Sequence, residues 1–165
     1  MLLPLFIILP LIVGVFMLLM NGQKPQKWFG TVVSSILVGL FFYLSCNKMD
    51  MNYQIDWFQF NNIKTYIALN GSGLAGLMLL LSNLVYAGLF FYIGSSDQKY
   101  SNSFYGLLLI TLAGLNGVFL ANDLVLFYFF WEIVLIPIYF LIGIWGKGAD
   151  KIKANMTFFL YTIFG

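Results

Sequence analysis

Apolar stretches close to twenty residues long recur along this chain, and that spacing constrains the fold more than any motif does. Crossing about 30 Å of hydrocarbon takes roughly 20 apolar residues in a helix rising about 1.5 Å per residue. Five blocks approach that length: Leu2–Met20, Trp28–Cys46, Leu74–Ile93, Phe104–Ala121 and Leu124–Trp145. A sixth begins near Ala154 and is still apolar at Gly165, about 18 Å of helix and too short for a span. With 61% hydrophobic and 8% charged residues, 165 residues cannot hide this much apolar surface from water, so the expected solvent is lipid. The fold expected is all-α and polytopic: one membrane domain over residues 1–165, with five full transmembrane helices and the start of a sixth. Because the chain stops inside an apolar stretch, its last helix is expected to need something beyond Gly165. That is either a second polypeptide or the remainder of a longer sequence.

The first block lacks a basic start and a small-residue cleavage site, so it reads as a retained helix and not a signal peptide. Connections at 21–27, 94–103, 122–123 and 146–153 are short. Only residues 47–66 form a long polar extramembrane loop. There Tyr53, Ile55 and Trp57 alternate with Asn52, Gln54 and Asp56, and the alternation slips at Phe58. A short strand and an irregular loop anchored by aromatics both fit. Lys24, Lys27, Lys99, Lys147, Lys151 and Lys153 follow blocks one, three and five, against Lys48 and Lys64 on the opposite side. This bias places the first set on the negative, cytoplasmic or matrix-like side.

Several function classes drop out. A net charge of +2 with scattered lysines does not argue for nucleic acid, and the absence of arginine removes the residue suited to bidentate phosphate recognition. Cys46 is the sole cysteine and there is no histidine, so disulfide, CxxC, HExxH and haem-ligand readings fail within this chain. Electron transfer, if part of its biology, belongs to another polypeptide.

The chemistry concentrates in "FYFFWEIVLIPIYF", residues 127–140. Glu132, the sole glutamate, is ninth of 22 residues in the fifth block, near the bilayer midplane. A charge there costs a few kcal/mol on insertion scales. Tyr128 at i−4 and Tyr139 at i+7 share its helix face, and Pro137 frees the carbonyl of Ile133 and suggests a kink. Two readings follow. Glu132 is a neutral carboxyl joining helices, or a proton- or ion-handling group whose protonation responds to a cationic partner. No lysine falls within a span, so that partner lies elsewhere. Asp123 is explained as an N-cap, with a place at an ion entrance as the alternative. "NGSG" (70–73) lacks the lysine and threonine of a phosphate loop and reads as a helix start. Mid-span Asn83 and Asn116 read as interhelical bridges, and Thr111 and Thr157 as bonded to their own helices.

One resemblance gathers these features. "GVFLANDLVLFYFFWEIVLIPIYFLIGIWG" (117–146), followed by "FFLYT" (158–162), is similar to the antiporter-like, proton-pumping subunit 4 of respiratory NADH–quinone oxidoreductase, complex I. "IALNGSGLAGLMLLLSN" (67–83) resembles that family's approach to its third helix; residues 1–64 match only in helix placement. The resemblance implies the N-terminal part of a protein of about fourteen helices with two inverted repeats. It implies that Glu132 transfers protons, paired with a lysine on a seventh helix not present here. Read from their spacing and not from the resemblance, Tyr128, Tyr139, Pro137 and Asp123 are the residues expected to support it. It further implies an enzyme activity only as a subunit of proton-translocating NADH:ubiquinone reductase, with NADH, FMN, Fe–S clusters and ubiquinone in partner subunits. Its partners would be other complex I membrane subunits and a polypeptide supplying the later helices. The membrane would be the mitochondrial inner membrane or a bacterial plasma membrane. Asn70 stands where the family usually has aspartate, and Thr157 where a basic residue is common. Alternatives are a subunit of a multi-component Na+/H+ antiporter or membrane-bound hydrogenase, or a structural membrane fragment without transport.

Overall fold

The computed structural model describes residues 2–20, 28–47, 51–60, 63–96, 100–148 and 150–164; along 56–60 and 63–66 only the backbone is described. Lys24, Lys27, Lys48 and Lys99, on which much of the sidedness argument rests, lie outside these residues. The elements are α1 (Leu5–Leu19), α2 (Phe29–Cys46), β1 (Asn52–Phe60), β2 (Ile63–Asn70), α3 (Gly73–Ser95), α4 (Asn102–Leu120), α5 (Leu124–Trp145) and α6 (Lys151–Phe164).

Four of these helices, α2 to α5, are long and apolar enough to cross a membrane. The chain is a multi-pass integral membrane protein. The first block falls short of the expected full span: α1 has 15 residues, about 22 Å of regular helix. Its leading residues form a tight turn in which the N–H groups of Leu5, Phe6 and Ile7 bond the carbonyls of Leu2, Leu3 and Pro4. Helix α6 starts at Lys151, three residues before the apolar run at Ala154, because polar residues extend its first turn.

Residues 52–70 settle the choice between strand and irregular loop. β1 and β2 pair antiparallel, with Asn52 opposite Asn70 and Ile55 opposite Ile67. The register shifts between Asp56 and Phe58, where the alternation in the sequence also slips. A bulge adds one residue to a strand and so reverses which residues share a face. The fold is therefore helical with one small hairpin, and Ile63–Asn70, read as loop and helix approach, is a strand. Asn70 Oδ1 then accepts from the Ser72 N–H at 2.8 Å and from Ser72 Oγ at 2.6 Å, which turns the chain into α3. Gly73 takes the left-handed conformation that opens the helix (φ +57°).

The hairpin is fastened to the helices. The Asn122 N–H bonds the Ala68 carbonyl at 2.8 Å, and Leu69 bridges Ala121. Gly71 packs near Leu3 and Leu120. The start of the chain, the hairpin and the α4–α5 turn thus share one end of the bundle. At the other, Asn102 Nδ2 donates to the Met20 carbonyl at the end of α1 (3.1 Å).

α4 is the central helix. α1, α3 and α5 pack around it, and α2 packs on α3. It is apolar on all sides, as a helix enclosed by others should be, and Tyr105, Leu109, Leu112 and Leu120 are fully buried. The α1–α4 contact is close because Gly14 and Gly106 face each other: a Cβ at Gly14 would stand 2.9 Å from the Gly106 carbonyl oxygen. As expected, Asn83 and Asn116 bridge α3 and α4, and Thr111 bonds the Leu107 carbonyl of its own helix.

Candidate functional site

The α5 face that meets α4 fixes where Glu132 points. Phe130 covers Gly117, and Val134 covers Gly114, where a Cβ would come within 2.6 Å of Val134 Cγ2. Residues 130 and 134 are one turn apart on one face. Glu132 is about 200° around the helix from each, at about 100° per residue. The carboxyl therefore projects away from α4, and it is half-buried.

Along that outward stripe the neighbours differ in what they do. The Tyr128 hydroxyl, one turn before, interacts with the Glu132 carboxyl. Tyr139 is seven residues further, about 10 Å along the axis, and serves the α5–α6 contact instead. Its ring lies against Phe159, with centroids 5.1 Å apart, and its carbonyl accepts from Asn155 Nδ2 at 2.8 Å. So α6 packs on the continuation of the Glu132 stripe. Pro137 is buried within α5, three residues from Val134 and so on the side toward α4. The helix continues through it, and its freed carbonyl is not on the glutamate's stripe.

Asp123 is a strong cap. Its Oδ1 accepts from the Val125 N–H at 2.8 Å and the Leu126 N–H at 3.3 Å, satisfying two of the donors a helix start leaves open. Tyr128 thus lies beside Glu132, while Asp123 caps α5, Pro137 is buried within it and Tyr139 contacts α6. Two residues escaped the sequence reading. Asn155 is buried on α6 and links it to α5 across Gly143; the signal was an amide one turn from Ile152, Phe158 and Phe159. Asn102 closes the end of α1, which no local pattern announces.

The fold and site define a class: a polytopic helical membrane protein with a half-buried carboxyl on an outward helix face. Residues 121–165 match the family described as NADH:quinone oxidoreductase/Mrp antiporter, TM. The chain is 30% identical over 164 residues to F(420)H(2) dehydrogenase subunit M of Methanosarcina mazei, covering 96% of this chain and 32% of that protein. It is 32% identical over 169 residues to NADH-ubiquinone oxidoreductase chain 4 of Marchantia polymorpha (96% and 33%). It is 31% identical over 180 residues to NADH-quinone oxidoreductase subunit M of Escherichia coli K12 (98% and 35%). The chain therefore spans about a third of the length of these relatives. Its fold matches a chain of the Mrp complex from Dietzia sp. with a TM-score of 0.78 at 18% identity, over 99% of this chain and 18% of that one. The particular likeness is thus to the antiporter-like subunit that complex I relatives call chain 4 or subunit M, as the motif resemblance implies.

Proposed function

We propose that this chain is part of a proton-translocating membrane subunit of an NADH:quinone oxidoreductase, with Glu132 as its proton-transfer carboxyl. One observation carries the reading: the sole glutamate sits mid-helix on the outward stripe of α5, beside Tyr128, half-buried and turned away from the helix that packs α5. A carboxyl in low dielectric favours its neutral form, and a cation brought close favours the anion. Moving that cation toward Glu132 releases one proton, and moving it away takes one up. The cation is a lysine from another membrane subunit or from a helix outside these residues. Tyr128 offers a hydroxyl that can bond either form of the acid.

On this reading NADH, FMN, Fe–S clusters and ubiquinone reside in partner subunits, and the chain works in a mitochondrial inner membrane or a bacterial plasma membrane. The test replaces Glu132 with Gln in the assembled complex, reconstitutes it in liposomes and follows acidification during quinone reduction. Loss of pumping in a complex that still assembles supports the proposal. Pumping at the wild-type rate leaves Glu132 as a neutral carboxyl joining helices. The fold shared with an Mrp chain supports one alternative, a subunit of a multi-component Na+/H+ antiporter. Copurification of NADH-oxidising subunits separates it from the main reading.

A further inference from the structure

Pro10 lies inside α1 and is fully buried. Lacking an N–H, it cannot bond the carbonyl four residues back, which belongs to Phe6. In lipid such a carbonyl has no water to turn to, and a neighbouring helix must supply the donor. Asn116 supplies it: its Nδ2 stands 2.9 Å from the Phe6 oxygen, and both residues are fully buried.

The rest of Asn116 is also engaged. Its second amide hydrogen faces Asn83 Oδ1 at 3.4 Å. Its oxygen accepts from Asn83 Nδ2 at 3.0 Å and from Ser82 Oγ at 3.1 Å. Asn83 gives its remaining hydrogen to the Leu79 carbonyl of its own helix at 2.7 Å. Both amides have every hydrogen placed, leaving no donor for a ligand or water. The cluster holds structure.

We propose that Asn116 is the docking residue for α1: it recognises the carbonyl freed by Pro10, while Asn83 and Ser82 fix its amide plane. Apolar side chains cannot set this contact alone, because lipid tails are as apolar as they are. Asn116–Phe6, Gly106–Gly14 and Asn102–Met20 fall in one antiparallel register, each step up α1 matched by a step down α4. A slip of one turn, about 5.4 Å, carries the Phe6 carbonyl away from that donor.

The test is a double-mutant cycle on the full chain within its membrane complex, read as the folded-to-unfolded ratio in an SDS titration. Asn116→Leu is expected to lower the ratio about tenfold. In a Pro10→Ala background the same substitution is expected to cost clearly less, since the alanine brings its own N–H to the Phe6 carbonyl and only the loss of the Asn83 and Ser82 partners remains. Asn83→Leu weakens the fold too, and because Asn83 acts on the Phe6 carbonyl only through the Asn116 amide, its loss depends less on Pro10 than the Asn116 loss does. The proposal is overturned if Asn116→Leu stays within about twofold of wild type, or loses as much in the Pro10→Ala background as with the proline in place. If the single variant does not accumulate, accumulation of the Pro10→Ala/Asn116→Leu chain supports the proposal and its continued absence overturns it.

Discussion

α4 and α5 are joined by the three residues Ala121, Asn122 and Asp123 and are similar in mean hydropathy, 1.7 and 2.2, yet 72% of the apolar stretch of α4 is buried within the chain against 22% for α5. Each carries a polar group within its apolar stretch. On α4 that group is Asn116, whose amide is closed off by Phe6, Asn83 and Ser82. On α5 it is Glu132, turned outward beside Tyr128. A closed amide network can only hold, because opening it strands buried donors and acceptors. A carboxyl on an open stripe can exchange a proton without dismantling the bundle. The lesson is that hydropathy places both helices in the membrane and does not distinguish frame from working part; the neighbours do.

The largest effect should come from Glu132→Gln, which on the proposed function lowers proton translocation by at least about a hundredfold, the scale of one acid–base group, while leaving the SDS unfolding curve in place. Asn116→Leu should reverse that pattern, shifting the unfolding curve first. If both substitutions move both readouts alike, the division between frame and working part fails. Next is Gly117→Leu. Its side chain would occupy the space of the Phe130 ring, so a loss of about 2 kcal/mol is expected from overpacking, seen as a lower unfolding midpoint. Asp123→Ala should cost about 1 kcal/mol by the same assay, with Asp123→Asn close to wild type, because an amide oxygen caps nearly as well. Thr157→Ala should be smallest, within about 0.5 kcal/mol, since its hydroxyl bonds only the Lys153 carbonyl of its own exposed turn.

Local chemistry was the legible part. α5 runs from Leu124 to Trp145, as its apolar block and the capping Asp123 indicate, because cap and helix are adjacent in sequence. The helix face shared by Tyr128 and Glu132 was readable from the 3.6-residue period. The pairing of Phe6 with Asn116 was not, since 110 positions separate them and neither residue signals the other. β2 escaped for a similar reason. Ile63–Asn70 is a strand only because β1 lies alongside it, and pairing is a property of two segments. The side of α5 on which Pro137 lies was not legible either: spacing gives the angle from Glu132, and only the contacts with Gly114 and Gly117 say which angle faces α4.

The attachment of the hairpin to the α4–α5 turn has a mechanical consequence. Ala121 is bridged to Leu69, the Asn122 N–H is bonded to Ala68, and Asp123 caps the first turn, so this end of α5 is fixed to the hairpin. The opposite end is held too: the Trp145 ring meets Phe104 of α4 with centroids 5.2 Å apart, and Asn155 of α6 donates to the Tyr139 carbonyl. α5 is thus a strut tied at both ends, and Glu132 sits between the ties.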